Sequence, residues 1–118
     1  MTLRWKGRGV LEVVVRVHGY EEFGPVAARR MDAVLGDAGK IAIFFDFTDA
    51  PRYESGLRVF WTQWLQSHLR SITKMHIVVR SKMVAMGVSV ANLALGGIIQ
   101  THTHRAGAFE RALEESTK

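Results

Sequence analysis

Apolar positions recur along this chain at two periods, and each change of period marks an element. Residues 3–6 alternate apolar and basic side chains, and Gly7, Arg8 and Gly9 supply a turn. Leu11, Val13, Val15 and Val17 then line one face of a second segment, with Glu12 and Arg16 on the other. A period of two on both sides of a turn predicts a β-hairpin with one buried face. From residue 23 the period lengthens. Phe23, Val26, Ala27, Met31, Val34 and Leu35 are spaced at three and four, which predicts a helix with Pro25 in its first turn. Residues 40–46 are apolar on both faces, as a central strand between parallel neighbours requires, and they end on Asp46.

The helical period returns over residues 55–72. Leu57, Phe60, Trp61, Trp64, Leu65, Leu69 and Ile72 lie on one side, and Arg58, Thr62, Gln66 and Arg70 on the other. Residues 75–80 read as another central strand. Residues 83–95 read as a strongly apolar helix stopped by Gly96 and Gly97. A short edge strand over residues 98–101 and a closing helix over 106–116, with Phe109, Ala112 and Leu113 inward, complete the pattern.

The predicted order is β-β-α-β-α-β-α-β-α within a single domain spanning residues 1–118. It specifies an α/β fold: a mixed, mainly parallel five-stranded sheet with an N-terminal β-hairpin and crossover helices. Right-handed crossovers that all advance one way place the helices on one side of the sheet. The other side is then expected to expose either Ala42 and Phe44, or Ile41, Ile43 and Phe45, since alternation does not choose between the sets. An apolar face of that kind calls for a cover, and a homodimer is the expectation.

Composition narrows the function. Hydrophobic residues make up 47% and charged residues 23% of the 118, the balance of a folded domain and not of a disordered segment. There is no cysteine, which removes disulfides, thiolate metal sites and cysteine nucleophiles and fits a cytoplasmic protein. The first six residues lack the apolar core of a signal peptide. The apolar run 83–99 is broken by Ser89, Asn92 and three glycines, so no transmembrane segment is expected. The net charge of +5 permits attraction to anionic surfaces. Its basic residues are scattered, however, with no interleaved basic and aromatic motif, and specific nucleic-acid binding is not expected.

The candidates for chemistry are few. His102 and His104 share the spacing of a metal-binding pair, yet no carboxylate or cysteine run completes a ligand set, so no metal is expected. His76 falls inside a central strand, as a core histidine does, and His68 lies at the border of its helix's apolar stripe. Asp46 and Asp49 flank Thr48, but acidic residues at strand ends commonly cap the next loop. No glycine-rich phosphate loop is present, and no Ser–His–acid set can be assigned from chain order. These features describe a binding module without a cofactor, not an enzyme.

One segment carries more. Asp46-Phe47-Thr48 ends the strand, and Ser55-Gly56-Leu57 opens the following helix, where free backbone N–H groups favour a hydroxyl or a phosphate. The stretch from Ile41 to Leu57 resembles the STAS family, the sulfate-transporter and anti-sigma-factor-antagonist domains typified by SpoIIAA. There a strand ends in an Asp-Phe-Thr type triplet and an Asp-Ser-Ser-Gly-Leu motif opens the next helix. Tyr53 and Glu54 stand here where the family has aspartate and serine. The resemblance implies the SpoIIAA-like fold and a bacterial regulatory protein that binds a protein partner. Its partner-binding loop would comprise Asp46, Thr48, Asp49 and Gly56, with Ser55 as the phosphoacceptor. Ser55 has a second reading, as a helix N-cap and nothing more.

The aromatic and methionine-rich helices leave a further alternative open. Both stripes can be core, or they can border an apolar-ligand cleft lined by Trp61, Trp64 and Met86. A branch of SpoIIAA-like bacterial proteins is similar to a lipid-binding domain. That makes a lipid or membrane-surface binder the competing functional class.

Overall fold

The computed structural model describes residues 2–16, 24–36, 39–50, 52 and 56–118. Strands β1 (Thr2–Gly7) and β2 (Val10–Val14) form the hairpin, turning at Gly9, whose φ of 74° suits a residue without a Cβ. Helix α1 (Pro25–Leu35), strand β3 (Ile41–Phe47), helix α2 (Leu57–His68), strand β4 (Ile72–Val79), helix α3 (Lys82–Ala94) and strand β5 (Ile99–His102) follow. Helix α4 (Glu110–Ser116) closes the described chain. The five strands lie in sequence order in one mixed sheet. β1 runs antiparallel to β2, while β2–β3, β3–β4 and β4–β5 pair in parallel.

Alternation along the strands sorts the core into two. On one face Leu11, Val13, Ile43, Phe45, Met75, Ile77 and Ile99 pack against Ala27 and Met31 of α1, Trp61 and Leu65 of α2, and Val84 and Val88 of α3. On the other, Val10, Ala42, Phe44 and Val78 meet Phe109 and Leu113. The three crossover helices thus share one side, as the handedness of parallel connections requires. The fourth helix does not join them.

That difference corrects the expected exposed face. Ala42 and Phe44 are the outward set, and both are buried because α4 returns across them. Glu12, read from alternation as a solvated position, is 1% exposed for the same reason. The closing helix also starts later than its apolar period suggested. Residues 105–109 form an irregular turn in which Gly107 takes φ 99°, and the helix proper begins at Glu110. The predicted helix over 55–72 ends at His68, and Ile72 already belongs to β4. Ile72 is buried in either assignment, so its apolarity could not tell the two apart.

Local sequence explains how the ends of α3 are set. The Ser81 hydroxyl accepts the Val84 N–H at 3.3 Å as an N-cap. At the other end Gly96 and Gly97 take φ values of 75° and 80°. The Asn92 side chain then donates to the Ile99 carbonyl at 3.0 Å and accepts the Ile99 N–H at 2.8 Å. This bracket holds the start of β5 against α3.

Candidate functional site

Two features stand out, one on each face of the sheet. The first is an apolar cavity of about 100 Å³ beneath α2 and α3, near the carboxyl ends of the strands. Phe45, Phe47 and Ile77 form its floor, Leu57, Trp61 and Leu65 one wall, and Val84, Val88 and Ala91 the other, with Arg52 and Arg58 also lining it. The helices meet beside it, where the Gln66 side-chain amide donates to the Ala94 carbonyl at 3.2 Å.

Of the three residues expected to line such a cleft, Trp61 does and is 7% exposed. Trp64 does not. Its indole N–H donates to Asp32 on α1 at 3.1 Å, and His68 stacks on its ring at 3.9 Å while lying 3.2 Å from the same carboxylate. Trp64 therefore ties α2 to α1. Met86 is 71% exposed and points away from the cavity. Helical spacing put Trp61 and Trp64 on one broad stripe and Met86 in a second, equally apolar helix. Resolving which neighbour each meets requires the helix positions.

The second feature is a charged cluster under α4. Strand register aligns Glu12, Phe44 and His76 in one row across β2, β3 and β4, and Asp46, Val78 and His102 in the next. Arg105, arriving after β5, donates to Glu12 at 2.5 Å, to Asp46 at 2.7 Å and to Glu110 at 2.5 Å. Burial pushes the Asp46 carboxyl up, but Thr48 and Arg105 outweigh it and hold the group below its ordinary value. The Thr48 N–H donates to Asp46 at 2.8 Å, whereas the buried Thr48 hydroxyl lies outside hydrogen-bonding geometry. Burial pushes the Arg105 guanidinium down, and Asp46, Glu110 and Glu12 reverse that and raise it.

His76 and His102 extend the cluster. His76 lies flat on Phe44 at 4.8 Å, and its Nδ1 is 2.9 Å from Nε2 of His102. One ring donates and the other accepts, which only a pair carrying a proton to share can do. Burial lowers the affinity of both rings for a proton, and His102 and Lys74 lower that of His76 further. A core histidine is thus what His76 is, with His102 as its partner. His104 is exposed and does not join them. Among the described residues no group of three or more His, Cys, Asp and Glu side chains can hold a metal ion.

The loop read as a partner surface is divided by the fold. Asp46 is buried in the cluster, while Asp49 is exposed and lies 3.7 Å from Arg16. Gly56 is the N-cap of α2 with φ 94°, a conformation that explains the glycine without any partner. Ser55 lies outside the described residues, as do Tyr53 and Glu54.

Arg105 was missed from sequence because it stands 59 residues from Asp46 and 93 from Glu12, and nothing in its local pattern marks it. Glu12 did carry a signal. A lone glutamate in Val-Leu-Glu-Val-Val-Val is either solvated or paired, and the structure pairs it.

No family model, curated protein or solved structure matches the chain. Among the described residues no helix is long and apolar enough to cross a membrane.

Proposed function

We propose that this protein is a non-catalytic interaction module whose cavity between α2 and α3 receives one apolar side chain from a regulatory protein partner. The cavity's size carries the reading. Sites for drug-sized ligands and cofactors run to roughly 300–1,000 Å³, and even a cavity that takes benzene is about 150 Å³. A volume of about 100 Å³ suits the tip of a leucine or similar anchor, not an acyl chain. Anchors of this kind, seated in a dry pocket, dominate the energy of protein interfaces. The lipid-binding alternative loses ground on the same number.

The charged cluster supports a non-catalytic role. Its carboxylates are committed to Arg105, and its histidines lie against Phe44 and Phe109. The STAS resemblance points to the same function and adds a control. Ser55 precedes, in sequence, the N-cap and first turn of α2, whose Leu57 and Arg58 line the cavity. A phosphate there would add about −1.5 to −2 charges immediately ahead of α2 in the chain.

Panning a random peptide library tests the reading. The selected peptides should share one large apolar residue and shift NMR signals of the α2 and α3 residues that line the cavity. Ala91→Phe, which fills the cavity, should abolish binding while the fold persists, and Ser55→Asp should weaken it. Peptides that bind Ala91→Phe as well as the native protein would refute the proposal.

A further inference from the structure

Strands β2, β3, β4 and β5 are parallel, so their carboxyl ends at Val14, Phe47, Val79 and His102 meet at one edge of the sheet. The apolar cavity lies beside this edge, and cations surround it. Arg52 and Arg58 line it where the chain passes from β3 into α2. Arg80 and Lys82 stand between β4 and α3, directly ahead of the lining residue Val84. The lining is apolar almost throughout, so the two arginines contribute their aliphatic stems and their guanidinium groups sit at its margin.

The carboxylates of this edge are already engaged. Asp46 is held by Arg105, and Asp49 lies 3.7 Å from Arg16. Arg58 is half-buried, Arg80 and Lys82 are exposed, and among the described residues none of the three enters an ion pair. The rim of the cavity therefore carries positive charge in surplus. We infer, resting on the cavity as the seat of an apolar side chain, that the partner segment carries an aspartate or glutamate beside that anchor. With the anchor's tip buried, its neighbours in the partner lie over the rim, where Arg58 meets them. The Arg58 stem is held against the wall, so pairing orders less of the side chain than it does for a free surface arginine. The net charge of +5 acts in the same direction, repelling a second copy of this chain and steering an acidic segment toward the rim. Rim charges of this kind set the choice of partner and the salt dependence, while the buried anchor supplies most of the affinity.

Peptides panned on the full chain test this. Those that share the large apolar residue should carry Asp or Glu beside it. Replacing that acid by its amide should weaken binding roughly fivefold at low ionic strength, and less at high salt. Arg58→Gln should weaken the acidic peptide by a similar factor and the amide peptide far less. Arg80→Gln with Lys82→Gln, both outside the lining, should give the same selective loss without touching the cavity wall. Peptides that share the apolar residue without an acidic neighbour, or an acidic peptide equally tight on all these variants, would overturn the inference and leave the cavity reading standing. Failure to select any peptide that Ala91→Phe releases would overturn both. Polyglutamate or a single-stranded oligonucleotide that displaces the peptide, and binds native and Ala91→Phe chains equally, would overturn it in favour of a rim that takes any polyanion.

Discussion

Replacing Arg105 by glutamine tests the network that joins α4 to the sheet. The guanidinium faces Glu12 and Asp46, whose side chains are 1% and 10% exposed, together with the more exposed Glu110. Removing one partner of a buried ion pair costs about 3–5 kcal/mol, because the remaining charge is left without compensation. Water reaches the outer end of this network, since Arg105 itself is 33% exposed. The lower end of the range, about 3 kcal/mol, is therefore the expected loss. At roughly 4 °C per kcal/mol for a domain of this size, the melting temperature should fall by about 12 °C.

The pH dependence separates an unpaired charge from lost packing. In the native protein Asp46 has a folded pKa below its ordinary 3.8, so its contribution is present above that value and is lost as pH falls through the folded one. In Arg105→Gln the buried Asp46 carboxylate lacks its cation, so the Arg105 contribution that lowers its folded pKa is lost and that pKa rises. The variant then gains stability, relative to native, as pH falls toward the carboxylate range. Urea denaturation across pH should show a deficit that is largest near neutrality and narrows with acid. Adding Glu12→Gln and Asp46→Asn should recover most of it at neutral pH. A deficit under about 1 kcal/mol, typical of an exposed pair, or one that is constant with pH, would refute the reasoning.

The histidine pair makes a second pH prediction. His76 and His102 have folded pKa values below the ordinary 6.5, so the unfolded chain binds protons first and stability declines as pH falls below 6.5. Urea titrations on either side of that pH should show this slope, and His76→Phe, which keeps the stack on Phe44, should reduce it. Phe109 is fully buried and meets the Phe44 ring edge-on at 5.6 Å, so Phe109→Ala should cost about 3–5 kcal/mol. Hydrogen exchange should then rise first along α4 and the Phe44 face of the sheet. Asn92→Ala removes both hydrogen bonds to Ile99 and should cost about 1–3 kcal/mol, read by thermal melting, with β5 exchanging faster than β3.

How much of this was legible beforehand follows from what each signal measures. Hydrophobic period reports whether a residue is covered, and it gave the α/β order, the hairpin and the doubly buried strand at Ile41–Phe47. It marked Trp61 as inward for the same reason. Period carries no information about which element does the covering. Phe44, Phe109 and Leu113 each read as apolar, yet only the return of the chain after Gly107 brings α4 onto the second face of the sheet. The charged cluster is hidden in the same way. Glu12, Asp46 and Arg105 come from three distant segments, and their pairing depends on strand register and on where that return lands. Trp64 looked equivalent to Trp61 because a helical stripe is continuous, and Met86 sat in a helix apolar along most of its length, whereas a cavity wall is bounded by its neighbours. Local sequence thus determined the elements and their buried faces, since propensity and burial act residue by residue. Tertiary structure alone decided the cover on the second face, the partner of each buried charge and the walls of the cavity, because each is a contact between segments far apart in the chain.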